Sequence, residues 1–185
     1  MELHWTGPHE WPLAQSNLPN WPGVYLWTFP HNSGFIVYAA GVTRRPLNKR
    51  FREHTRCYLN GTYTLFDVND LTHGIRTELW HGFWSKKRLP AKKTEFVRRR
   101  AEIAKNAREQ MNACRVFAAE FTIERRLLER LEASIMDQLY NASKPFCDIP
   151  DRGMMLAPRW QSETPITVVS HATEVLHGIQ TAFTI

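Results

Sequence analysis

Two early stretches alternate hydrophobic and polar positions in the manner of strands. Gly23 to Phe29 (GVYLWTF) and Phe35 to Ala40 (FIVYAA) are rich in β-branched and aromatic residues. PHNSG between them supplies a turn, so the pair predicts a hairpin. The period then lengthens to that of a helix. After a start at Thr43 to Pro46, with proline near the first turn, Leu47, Phe51 and Tyr58 fall on one stripe. Arg50 and His54 stack beside it at i and i+4. Residues 60–77 are irregular and turn-rich. Phe96, Ile103, Ala107 and Met111 predict an amphipathic helix over 94–112. ACRVFAAEF at 113–121 predicts a third strand. Leu127, Leu128, Leu131, Ile135 and Leu139 predict a helix over 123–140, and TPITVVS at 164–170 an edge strand.

The order β-β-α, helical insertion, β-α leads to an α+β fold: a small three-stranded antiparallel sheet flanked by helices. The length fits a single domain over 1–185, with its core at 23–141 and an insertion at about 60–112. Residues 1–22 are expected as an ordered Trp- and Pro-rich arm, because large aromatic side chains are costly to leave in water. Residues 142–185 are expected as a C-terminal extension.

Charge changes this picture more than composition does. The chain carries a formal +6, but Trp84 to Asn112 holds ten basic and three acidic residues, a net +7 that leaves the rest near neutral. A local basic stripe is the usual footprint for a phosphate backbone. The candidate DNA contacts are Lys86, Lys87, Arg88, Lys92, Lys93, Arg98, Arg99 and Arg100. A solvated helix face that only aids solubility is the plainer alternative. Trp80, Phe83 and Trp84 stand next to the first of these cations, placed either to stack on bases or to form the core of the insertion. Cys57, Cys114 and Cys147 lie far apart, which argues against a disulfide framework or a zinc knuckle. His73 and His81 lack partners at finger spacing. The start lacks the pattern of a secretory signal and no run reaches the length of a membrane span, so a reducing cytoplasm is the expected compartment.

Cutting a phosphodiester needs a base for water, a cation for the phosphoryl oxygens and commonly a divalent metal. Tyr25 and Tyr38 sit on adjacent strands of the hairpin, Arg50 and His54 on the next helix, and Glu132 at the margin of the last apolar helix face. A carboxylate there reaches the sheet edge and suits a hard cation. GVY at 23–25, VYAAG at 37–41, Arg50 in NKRFREH and Glu132 in RLEASIM resemble the GIY-YIG nuclease family. The resemblance runs from about Gly23 to Asn141 and implies hydrolysis of DNA with one Mg²⁺ (or Mn²⁺). It implies that Tyr25 activates water, that Tyr38 and Arg50 contact the scissile phosphate, that His54 assists and that Glu132 holds the metal. Asn141 matches the family's late asparagine.

Two departures stand out. Gly41 follows Tyr38 through two alanines rather than one residue, which reads either as a bulge re-aiming Tyr38 or as a decayed site. Glu129 has the more usual spacing to Asn141, whereas Glu132 has the more usual apolar follow-on. The expected function is a metal-dependent DNA endonuclease of restriction or defence type, with a homodimer on duplex DNA as one arrangement. The alternative is a non-catalytic nucleic-acid-binding protein.

Overall fold

A computed structural model describes residues 1–11, 18–85 and 89–185. The chain opens with two short strands, β1 (Glu2–His4) and β2 (Thr6–Glu10). The hairpin follows as β3 (Gly23–His31) and β4 (Gly34–Thr43), and the first helix is α1 (Leu47–Leu59). The small elements β5 (Leu65–Phe66), α2 (Val68–Thr72) and β6 (Glu78–Trp80) lead to the long α3 (Leu89–Ala113). Then come β7 (Arg115–Glu120) and α4 (Arg125–Asn141), and the chain closes with β8 (Thr167–His171), β9 (Val175–His177) and β10 (Ala182–Thr184).

The expected small three-stranded sheet is corrected by this arrangement. The main sheet has five strands in the order β2-β7-β3-β4-β9 and curls into a half-barrel, beside a three-stranded sheet β1-β8-β10 and the pair β5-β6. The expected trio β7-β3-β4 is only its centre. The added strands come from the N-terminal arm and the C-terminal extension, which therefore build the sheets rather than decorate them. The strand over 164–170 is likewise not an edge: β8 lies between β1 and β10. Physical reasons are plain in the residues. TGPHE of β2 contains Gly7 and Pro8, and β9 is three residues long, so neither carries a period that singles out a strand.

Burial sorts the side chains of the main sheet into two cores. Tyr25, Phe29, Ile36 and Tyr38 join Leu47, Phe51 and Tyr58 of α1 and Ile103, Ala107 and Met111 of α3. Val24, Leu26, Val37 and Ala40 face the other way, onto Leu131, Ile135, Met136 and Leu139 of α4 and onto the smaller sheet. The arm's Trp5 and Trp11 are both buried, one in each core. Trp80 and Phe83 pack together and against Phe96 of α3, so these rings form the core of the insertion. No helix among the described residues is long and apolar enough to cross a membrane.

Candidate active site

The site begins with a strand edge. β9 pairs with β4 only at Gly34 to Ile36, which leaves the far half of β4 without a strand neighbour on that side among the described residues. Helix α4 covers it. The Ala40 N–H points at Met136 Sδ at 3.3 Å, and the Val42 amide lies near the Glu132 carboxylate and favours its charged form. Met136 and Glu132 are one helical turn apart, so a single face of α4 stands over two edge amides, those of Ala40 and Val42. This is why a carboxylate stands at the end of an otherwise apolar helix face.

Both motif glycines have a steric reason. A Cβ on Gly41 would lie 2.4 Å from the Tyr25 hydroxyl oxygen, and one on Gly23 would lie 2.2 Å from the Ala119 carbonyl oxygen of β7. Gly23 thus lets β7 close on β3, and Gly41, directly opposite Tyr25, lets the phenol lie across β4. From there the hydroxyl reaches His54 Nε2 at 2.7 Å, and Arg50 Nε donates to it at 3.4 Å. His54 lies on the buried stripe of α1 with Leu47, Phe51 and Tyr58, not beside it. Its Nδ1 meets the Tyr63 hydroxyl at 3.0 Å.

Burial, reinforced by the nearby Arg50 cation, holds His54 well below its ordinary pKa, so the imidazole is neutral and has one N–H. Tyr25 has no other acceptor among the described residues. Its proton therefore goes to Nε2, and the Nδ1–H donates to Tyr63. Burial also raises Tyr25 to about 12, against the pull of Arg50, so the phenol is protonated at neutral pH.

Arg50 and Glu132 meet across an open cleft of about 410 Å³, whose lining includes Val42, Arg44, Arg45, Arg125 and Glu129. Arg50 comes from the α1 layer and Glu132 from the α4 layer, so the cleft sits where the two layers meet at the end of β4. Glu53 accepts two hydrogen bonds from Arg45, at 2.7 and 2.8 Å, and one from Arg50 Nη1 at 3.1 Å. Glu129 is paired with Arg125 at 2.7 Å and Arg126 at 3.7 Å. Glu132 makes no ion pair among the described residues. Burial pushes its carboxyl up to about 7, with Arg50 and the Val42 amide opposing and Glu129 adding to the rise. A half-buried carboxylate that lines a cleft and makes no ion pair among the described residues fits a hard cation that keeps most of its waters. Between the two glutamates, Glu132 is the one with an oxygen to offer.

The other residues expected of this motif do not join them. Tyr38 falls at a bulge: Ala39 is opposite Trp27 and Val37 opposite Thr28, so Tyr38 has no Cα partner. Its ring stays on the Tyr25 face, but the hydroxyl donates to Asp151 Oδ2 at 3.1 Å, away from the cleft. Asn141 ends α4, exposed, with its amide on Asp137. Nine residues separate it from Glu132, roughly 14 Å along a helix axis. Lys86, Lys87 and Arg88 lie outside the described residues. Lys93, Arg98 and Arg100 are exposed on α3, whereas Lys92 donates to the Gly82 carbonyl and Arg99 is bound to Glu95, Glu102 and the Leu79 carbonyl. Sequence reasoning missed Tyr63, which sits in a stretch without period. It also missed Glu53, Arg44 and Arg45, although Glu53 stands at i+3 from Arg50 and was readable as its partner. No family model, curated protein or solved structure matches the chain.

Proposed function

We propose that the chain is a metal-dependent DNA endonuclease that hydrolyses phosphodiester bonds in the cleft between α1 and α4. One observation carries this reading: a half-buried carboxylate, Glu132, without an ion pair among the described residues, faces the same cleft as Arg50, which contacts a buried Tyr25–His54 pair. A structural glutamate at this depth is normally neutralised by a partner. The similarity to GIY-YIG motifs supports the same chemistry, here on a larger sheet.

In this mechanism Arg50 binds a non-bridging phosphoryl oxygen, and Arg44, exposed on the cleft wall, holds the flanking backbone. Drawing Arg50 towards a phosphate loosens its long contact with Tyr25 and opens the hydroxyl to the cleft. Water attacks phosphorus and gives its proton to Tyr25 Oη while Tyr25 gives its own to His54 Nε2. A phenol raised to about 12 is a poor reservoir for a standing phenolate, so a relay suits it better. The new P–O bond forms as the bond to the leaving oxygen breaks, and that oxygen takes a proton from solvent. Glu132 would hold a divalent cation, which would supply Lewis-acid stabilisation of the phosphoryl charge. The exposed cations of α3 add salt-sensitive affinity for the backbone. A reducing cytoplasm fits the three free thiols.

The test is incubation of the purified chain with supercoiled plasmid, in Mg²⁺ or EDTA, alongside Glu132→Ala. Metal-dependent nicking that the variant loses supports the reading, and discrete fragments point to a restriction-type enzyme. Salt-sensitive retardation of the DNA without any cleavage overturns it in favour of a nucleic-acid-binding protein.

A further inference from the structure

A second group of ligating side chains stands on the smaller sheet, in the other core's layer. β1 pairs with β8 in parallel, with His4 directly opposite His171. Leu3 is buried between two exposed neighbours, so Glu2 and His4 project from one face of β1. The imidazoles of His4 and His171 lie parallel, with centroids 4.7 Å apart and planes 11° apart. His171 Nε2 is hydrogen-bonded to Glu2 Oε2. One ligand atom from each of the three residues lies within 4.8 Å of the others.

The backbone beneath them is pinned. The Met1 ammonium donates to the Thr167 carbonyl at 2.6 Å, and the Val169 N–H donates to the Met1 carbonyl at 2.8 Å. The Trp5 N–H donates to the His171 carbonyl at 2.8 Å. The cross-strand positions are thus set by the ladder, and only exposed side chains need to move.

We propose that Glu2, His4 and His171 form a binding site for a borderline divalent transition metal such as Zn²⁺, with the remaining coordination positions open to water. Two imidazoles and a carboxylate match the donor preferences of that class and not of Mg²⁺, which takes oxygen donors. A plain ion pair accounts for Glu2 and His171 but leaves His4, whose ring makes no hydrogen bond among the described residues, stacked on the pair without a role. Donors around a tetrahedral zinc lie about 3.3 Å apart, so the widest separation here, no more than 4.8 Å, needs to close by at most about 1.5 Å while the hydrogen-bonded Glu2–His171 pair opens slightly, a side-chain rotamer adjustment at the surface. The bound ion would tie the first strand of the chain to β8. This site is independent of the nuclease reading.

The experiment is calorimetric titration of the full chain with ZnCl₂, for wild type, Glu2→Gln, His4→Ala and His171→Ala. His73→Ala, which removes an exposed histidine elsewhere, is the control. We expect one ion per chain in the micromolar range, weakened at least about tenfold in His4→Ala and in His171→Ala and unchanged in His73→Ala, since loss of even an outer-shell partner costs that much. Thermal unfolding should shift upward with Zn²⁺ for wild type and not for those two variants. Absence of binding, binding that survives both histidine substitutions, or equal weakening by His73→Ala overturns the site and leaves only general surface affinity for the metal.

Discussion

Tyr25 and Tyr38 leave the same face of the same hairpin, yet their hydroxyls end in opposite electrostatic settings. Tyr38 reaches Asp151, which is paired with Arg76. Arg76 also binds Glu78 and the Ile149 carbonyl, and its guanidinium lies 4.6 Å from the centre of the Phe66 ring. Every charge near Tyr38 has a partner. Tyr25 reaches a neutral histidine and an arginine, and Glu132, across the cleft from that arginine, has no ion-pair partner among the described residues. Paired charge holds one end of the hairpin shut, and open charge is left at the other. Stability and chemistry should therefore separate by region when each is perturbed.

The largest separation is expected for Glu132→Gln. If the open carboxylate is the metal ligand, Mg²⁺-dependent nicking should fall by about 10³-fold or more, as when a charge-stabilising group is lost from an active site. Stability should move the other way. The Glu132 carboxyl sits at about 7 rather than its ordinary 4.5, so between those values the folded chain keeps a proton that the unfolded chain releases. Stability contributed by that proton is present at low pH and is lost as pH rises through 7. The glutamine variant escapes the loss. After discounting for the partly open setting, it should be about 1–2 kcal/mol more stable than wild type at pH 8 and no more stable at pH 4. Unfolding curves at the two pH values check this, and a nicking rate within tenfold of wild type breaks the contrast.

Asp151→Ala is the reciprocal test. It leaves Arg76 with one fewer counter-charge and the buried Tyr38 hydroxyl without its acceptor. Side-chain exposures of 20% for Arg76 and 16% for Asp151 place the cost below that of a fully buried pair, at about 2–3 kcal/mol. If the α1–α4 cleft is a nuclease site, cleavage per folded molecule should be unchanged, measured well below the new unfolding midpoint. A large loss of kcat in a folded variant would instead draw the Tyr38 region into the chemistry.

What was legible in the residues follows the range of each interaction. The hairpin, α1, β7 and α4 declare themselves by periods of 2 and 3.6 within a few residues. The Tyr25, Arg50, His54 and Glu132 constellation rides on those four elements. The five-stranded sheet was not legible, because its outer strands are recruited across long separations, His9 onto Val116 and Gly34 onto Val175, through segments without alternation. The extra alanine before Gly41 left a bulge and a decayed site as open readings, and the structure has a bulge there. The direction it gives Tyr38 was not, since the acceptor lies 113 residues away. Asn141 matched by order along the chain and failed by geometry, because the far end of a helix lies turns away from the carboxylate near its start.

Tyr63→Phe sharpens the Tyr25 side of the comparison at smaller cost. The change removes the acceptor for the His54 Nδ1–H and so the bond that fixes which ring nitrogen faces Tyr25. A buried donor left without its partner should cost about 1 kcal/mol of stability. If His54 accepts the proton from Tyr25, kcat should fall by about tenfold with KM unchanged, in the range set by loss of an outer-shell orienting bond. An unaltered kcat beside the same stability loss would make Tyr63 a packing residue only.

Open and paired charge recur on α3, where the expected effect is smallest. Arg99 is held by Glu95, Glu102 and the Leu79 carbonyl, so it fastens the helix to β6, whereas its exposed neighbours Arg98 and Arg100 make no hydrogen bond among the described residues. If the stripe grips a phosphate backbone, Arg98→Gln with Arg100→Gln should weaken DNA binding a few-fold and flatten the dependence of log K on log salt by about 2. Arg99→Gln should leave that slope alone and lower stability by about 1 kcal/mol, since its ion pairs are largely exposed. The distinction matters because all three arginines contribute equally to the net charge of the stripe. A slope that responds to Arg99 as strongly as to its neighbours would mean that the overall field of α3, and not open side chains, governs DNA affinity. A slope that follows only Arg98 and Arg100 extends to the surface the division already drawn between the two tyrosines.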